Sequence, residues 1–122
     1  MQISVPDNKL RRALSDDTEL QKRFGVPMAK KIRLRLAALD AAISLADFWP
    51  PFSGPERCHE LLGDKVGMFS MDVQQPYRLL FKPNLTAKSD QSEEAGDEGK
   101  SKKEQWEEIR AIEIESIEDT HG

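Results

Sequence analysis

The sequence predicts an α+β domain, N-terminal helices packed on a small antiparallel β-sheet. Three observations carry this prediction. Apolar residues recur at helical spacing through the first part of the chain. Between Arg57 and Pro83 they alternate with polar residues at period two, in short runs separated by turn residues. At 122 residues the chain suffices for one modest core and not for two.

The elements follow in order. Met1 to Val5 alternates apolar residues, as a short first strand does. Pro6 and Asp7 open a helix, with Asp7 or Asn8 as N-cap and Leu10, Ala13 and Leu14 as its apolar stripe. A new helical turn starts around Thr18-Glu19-Leu20 and is ended by Gly25. The best-marked helix runs from about Pro27 to Ala42, with Met28, Ile32, Arg35/Leu36 and Leu39 at helical spacing. Lys30, Lys31, Arg33 and Arg35 decorate it, as phosphate contacts or, for most of them, as a solvated face. Ser44 caps one further turn through Phe48. Trp49-Pro50-Pro51 then forces an extended path, and Phe52 to Glu56 is a loop into the sheet.

Arg57 to Leu62 is the next expected strand, and Gly63-Asp64 supplies turn chemistry. In Gly67 to Val73, the residues Phe69, Met71 and Val73 alternate with Met68, Ser70 and Asp72. Gln74-Gln75-Pro76 turns the chain into Tyr77 to Lys82, where Tyr77, Leu79 and Phe81 share one face and Arg78, Leu80 and Lys82 the other. Two basic groups thus leave an otherwise apolar strand together, which suits an anion site. Residues 84–105 hold one Leu and no aromatic, too little apolar surface to order themselves, and read as a flexible acidic insertion in a single 1–122 domain. Structure resumes at Trp106, with Ile112 and Ile114 on one strand face and Ile109 and Ile117 on the other.

Composition narrows the function classes. No run of 18 or more apolar residues is present, so no helical membrane span is expected. The start lacks the pattern of a secretory signal and the lone Cys58 has no internal disulfide partner, so a cytoplasmic location is expected. One Cys and two distant His make a zinc site of the usual spacing unexpected, and no cofactor motif stands out. Net charge is −4, unevenly spread: residues 1–83 carry 13 Lys/Arg against 10 Asp/Glu, and residues 84–122 carry 5 against 12. This balance predicts weak non-specific grip on nucleic acid while leaving room for a local phosphate site.

The order of several short pieces resembles the RelE/ParE superfamily of bacterial toxins, and within it the HigB-like (plasmid maintenance killer) branch. The pieces are His59-Glu60-Leu61-Leu62-Gly63-Asp64-Lys65, Gly67-Met68-Phe69-Ser70, Tyr77-Arg78-Leu79-Leu80-Phe81 and Asp119-Thr120-His121. With the preceding helix they cover most of the chain. The resemblance implies a RelE-like fold and the toxin of a type II toxin–antitoxin system, an endoribonuclease that cuts messenger RNA on the ribosome without metal or cofactor. It implies a helix-turn-helix (HigA-like) antitoxin as partner. In that chemistry a 2′-hydroxyl attacks the neighbouring phosphate and the 5′-oxygen leaves. Histidine suits the proton transfers, and arginine the phosphate.

The resemblance assigns catalysis to His59 and Arg78, with His121, Asp119 and Lys65 assisting, and RNA contacts to Arg57 and Lys82. Each has a plainer alternative. His59 also suits a ring filling a strand face beside Arg57 and Leu61, and Arg78 an ion pair with Asp72 across the 74–76 turn. His121 sits next to the chain end, Asp119 also suits a strand cap, and Lys65 a solvated turn. Two positions depart from the branch: Leu62 stands where HigB-like nucleases tend to carry Lys, and Thr120 where they carry Tyr. Two competing readings follow, a ParE-like gyrase inhibitor that cleaves nothing and a degenerate toxin fold kept as a binding module.

Overall fold

The computed structural model describes residues 1–63, 67–84 and 99–119. The chain opens with β1 (Gln2–Ser4), then α1 (Asn8–Ser15), α2 (Asp17–Phe24) and α3 (Val26–Ala41), followed by a 3-10 turn (Leu45–Phe48). The sheet strands β2 (His59–Glu60), β3 (Phe69–Asp72) and β4 (Tyr77–Pro83) come next, then α4 (Lys102–Glu107) and β5 (Ala111–Asp119). The sheet order is β1-β5-β4-β3-β2. The α+β class stands, and the neighbouring pairs among β2, β3, β4 and β5 are antiparallel. The sheet as a whole is nevertheless mixed, because β1 pairs with β5 in parallel.

Local signals set the helix limits. Asp7 accepts from the Lys9 N–H and Asp16 from the Thr18 N–H, so each carboxylate satisfies a donor that its helix leaves open. Gly25, at φ +87, closes α2 and leads directly into α3. Ser44 caps the 3-10 turn through the Ala46 N–H at 3.2 Å.

One sheet face takes the helices. Phe69, Met71, Leu79, Phe81, Ile112 and Ile114 bury there against Leu10, Leu20, Ala29, Ile32, Leu39 and Leu45. Alternation sends Ser70, Asp72, Arg78, Leu80 and Lys82 to the opposite face. No helix among the described residues is long and apolar enough to cross a membrane.

Four expectations need correction. The strand expected from Arg57 to Leu62 is only two residues long. Residues 52–58 close on themselves instead, with Phe52 N–H on Cys58 O and Arg57 N–H on Ser53 O, both at 3.1 Å. Arg35 is not on a solvated face. It is buried, and its Nε donates to Asp72 O at 2.6 Å and its Nη2 to Pro55 O at 3.4 Å. The chain is ordered before Trp106. Ser101 and Glu104 form a capping box that starts α4, and Trp106 lies in that helix rather than in a strand. Residues 85–98 of the expected insertion lie outside the described residues. Finally, a β-bulge sits between the pairs Leu80↔Ser116 and Phe81↔Ile114, so Ile117 comes opposite Leu79 and packs on the same core as Ile112 and Ile114.

Candidate active site

The candidate site lies on the sheet face turned away from the helices, at the β2 edge. His59 pairs with Ser70 on β3, and Ser70 with Leu80 on β4. Two residues along, Asp72 pairs with Arg78, and Arg78 with Glu118 of β5. His59, Asp72 and Arg78 therefore share one face.

The 52–58 loop completes the group. The His59 ring stacks on Phe52 with centroids 3.9 Å apart and planes 19° from parallel. The Arg57 guanidinium lies 5.1 Å from the centre of the same phenyl ring. The His59 Nδ1 sits 2.8 Å from the Arg57 carbonyl oxygen. A carbonyl can only accept, so this contact assigns the proton to Nδ1 and leaves the lone pair of the neutral ring on Nε2. The histidine is thereby set to take a proton at one defined atom.

Asp72 links the arginines. Its Oδ2 lies 3.4 Å from Arg57 Nε and its Oδ1 3.3 Å from Arg78 Nε. The Arg78 contact is an ion pair without hydrogen-bond alignment. The ion pair with Asp72, the plainer alternative for Arg78, is thus present, and Arg57 shares it.

Phe52, Arg57, His59, Asp72 and Arg78 form one connected group. The other predicted site residues stand apart or beyond view. Lys82 shares the Arg78 face but lies four residues along, roughly 13 Å away, beside Glu113 at 3.9 Å and Glu115 at 3.6 Å. Asp119 pairs with Tyr77, one register position beyond Arg78 and Glu118. Lys65 and His121 lie outside the described residues. Leu62 is 85% exposed. Two members of the group were not assigned a site role from sequence. Asp72 was legible only as Arg78's partner, from their symmetric placement about the 74–76 turn. Phe52 carries no local signal, because its contact with His59 depends on how the loop folds back.

Beneath this group Cys58 is fully buried. Burial, reinforced by the nearby Glu56 charge, pushes its thiol from 9.0 up to about 12. The folded state thus keeps this proton to higher pH than the unfolded chain. Its contribution to stability is complete below pH 9.0 and is lost as pH rises through about 12. Native Cys58 is expected to resist iodoacetamide near pH ~8 and to react once urea unfolds the chain, as read by intact mass. Alkylation of the native protein at the rate of free cysteine would show that the 52–58 loop opens.

No model of a known family matches this chain, and no curated protein matches its sequence. Solved structures do match its fold. A YoeB/ParE toxin from Agrobacterium tumefaciens aligns over 99% of this chain and 100% of its own, with TM-score 0.54 and 14% identity. The YoeB dimer from Staphylococcus aureus aligns over 100% and 98%, with TM-score 0.53 and 15% identity. The YoeB–YefM complex from the same organism gives TM-score 0.52 and 14% identity over the same shares. At such identities the likeness is one of fold, and the RelE/ParE-like fold expected from the sequence is the one observed.

Proposed function

We propose that this chain is the toxin of a type II toxin–antitoxin pair, of the HigB-like kind, and that it cuts messenger RNA on the ribosome. The observation that carries the reading is the placement of His59, with Nε2 as its proton acceptor, on the same sheet face as Arg78, with Arg57 brought to Asp72 by the 52–58 loop. His59 takes the proton of the attacking 2′-hydroxyl as that oxygen bonds to phosphorus. The guanidiniums of Arg78 and Arg57 stabilise the charge that builds on the phosphate. The 5′-oxygen leaves with a proton given by His121, which leaves a 2′,3′-cyclic phosphate on one fragment and a 5′-hydroxyl on the other. His121, with Asp119 to orient it, and Lys65 assist, and Lys82 extends the RNA contact.

The formal charge of −4 gives the chain little general hold on free RNA. The ribosome supplies the strand already positioned, which puts the reaction in the cytoplasm. A helix-turn-helix antitoxin holds the toxin inactive. The fold likeness to a YoeB solved together with YefM supports a protein partner, and the helix-turn-helix type rests on the sequence resemblance.

Induced expression followed by transcript 5′-end mapping tests the proposal. New 5′ ends are expected within translated frames, and blocking translation initiation is expected to remove them. Growth arrest without new ends would favour gyrase inhibition. Leu62, exposed where HigB-like nucleases carry Lys, favours a second reading, a binding module without catalysis. Normal growth and unaltered transcripts would establish that reading instead.

A further inference from the structure

We propose that Asp72 is a positioning residue whose carboxylate sets Arg57 and Arg78 side by side as a two-guanidinium clamp for a phosphodiester. This deepens the reading of the site as one that acts on RNA, and rests on it.

Burial orders the three side chains. Asp72 is 13% exposed, whereas Arg57 and Arg78 are 52% and 35% exposed. The carboxylate lies beneath and the guanidiniums lie above it, toward solvent. Each arginine reaches Asp72 through Nε, the inner edge of its fork. An incoming phosphodiester meets the two cations before it meets the carboxylate.

Asp72 is itself fixed at both backbone groups. Its N–H donates to Glu56 O at 2.8 Å, and its C=O accepts from the buried Arg35 Nε at 2.6 Å. Arg35 also bonds Pro55 O, which ties the loop carrying Arg57 to the end of β3. Phe52 and Arg57, the non-glycine residues with positive φ among those described, at +68 and +47, lie in this loop and touch each other. Backbone held in that region is costly and persists where surrounding contacts impose it. Anchored carboxylate and constrained loop together give the two guanidiniums a fixed spacing.

The sign of one effect decides the matter. A carboxylate that only added charge would oppose anion binding, so removing it would tighten the site. A carboxylate that positions the clamp gives the opposite result. The probe is a 2′-O-methyl RNA trinucleotide, which cannot be cleaved because the attacking hydroxyl is blocked. It is titrated into the 15N-labelled full chain while the arginine Nε–H signals of residues 57 and 78 are followed. Both signals are expected to move together with one Kd. Asp72→Asn is expected to weaken binding by about tenfold or more. Arg57→Gln, at a largely exposed side chain, is expected to match it, and the double variant to lose little more than either single one.

Tighter binding by Asp72→Asn, independent movement of the two signals, or no movement at all would overturn the clamp. If Asp72→Asn fails to fold, Arg57→Gln alone still decides, because undiminished binding there removes Arg57 from the site. Failure of the nuclease reading would look different. The wild-type chain would bind the trinucleotide through both arginines yet produce no new transcript ends on induction.

Discussion

His59→Ala is expected to abolish toxicity and to lower cleavage by about 10²–10⁴ in rate, the usual contribution of a positioned proton-transfer group. The Nδ1 contact with the Arg57 carbonyl leaves Nε2 as the acceptor, and alanine removes that atom, together with the bond to the Arg57 carbonyl, while both guanidiniums keep their Asp72 contacts. The protein should remain folded, because the main loss is one ring stacked on Phe52, worth about 0.5–1.5 kcal/mol beyond area. Arg78→Ala should be comparably silent, since losing a charge donor to the transition state costs about 3–4 kcal/mol. Transcript 5′-end mapping beside a thermal melt checks both. Equal cleavage by wild type and His59→Ala would take the imidazole out of the mechanism.

The second large effect concerns stability. Trp106 is 3% exposed and meets Trp49 edge-on at 5.0 Å and Phe69 at 5.5 Å. It is the buried residue of α4, a helix of only six residues that would not hold in isolation. Trp106→Ala should cost about 3–5 kcal/mol through lost burial and the cavity left behind. For a domain of this size that corresponds to a fall in Tm of roughly 10–20 °C by circular dichroism. Lys103→Ala, on the exposed side of the same helix, should scarcely move it. A loss below about 1 kcal/mol for Trp106→Ala would mean that α4 does not dock through this side chain.

Much of this fold was legible because its signals are local. Asp7, Gly25 and Ser44 mark helix ends through donors and angles that a few neighbouring residues determine. The alternation in Tyr77–Pro83 shows directly which side chains face the helices. Where several elements meet, the sequence was silent. Arg35 looked like a solvated cation because the carbonyls that bury it, on Asp72 and Pro55, lie far away in the chain. The Ser101–Glu104 capping box was present in the sequence, but its setting in a polar stretch hid it, and Trp106 was the one apolar residue to report it. At the site, His59 and Arg78 stood out through resemblance. The roles of Asp72 and Phe52 come from packing, which no spacing rule reveals.

The bulge in β5 gives the C-terminal part of the chain a tolerance to deletion that substitutions do not expose. Before it the pairing runs Phe81↔Ile114, and beyond it Leu79↔Ile117 and Arg78↔Glu118. Deleting the single extra residue, Glu115, would restore plain alternation and leave every later pairing in place. Ile117 would stay on the core face opposite Leu79, and Glu118 beside Arg78. A reading-frame-preserving loss of one codon here would therefore straighten the strand without exchanging a core residue for a charge. Glu115 is accordingly the position in β5 where a one-residue deletion should disturb the core least.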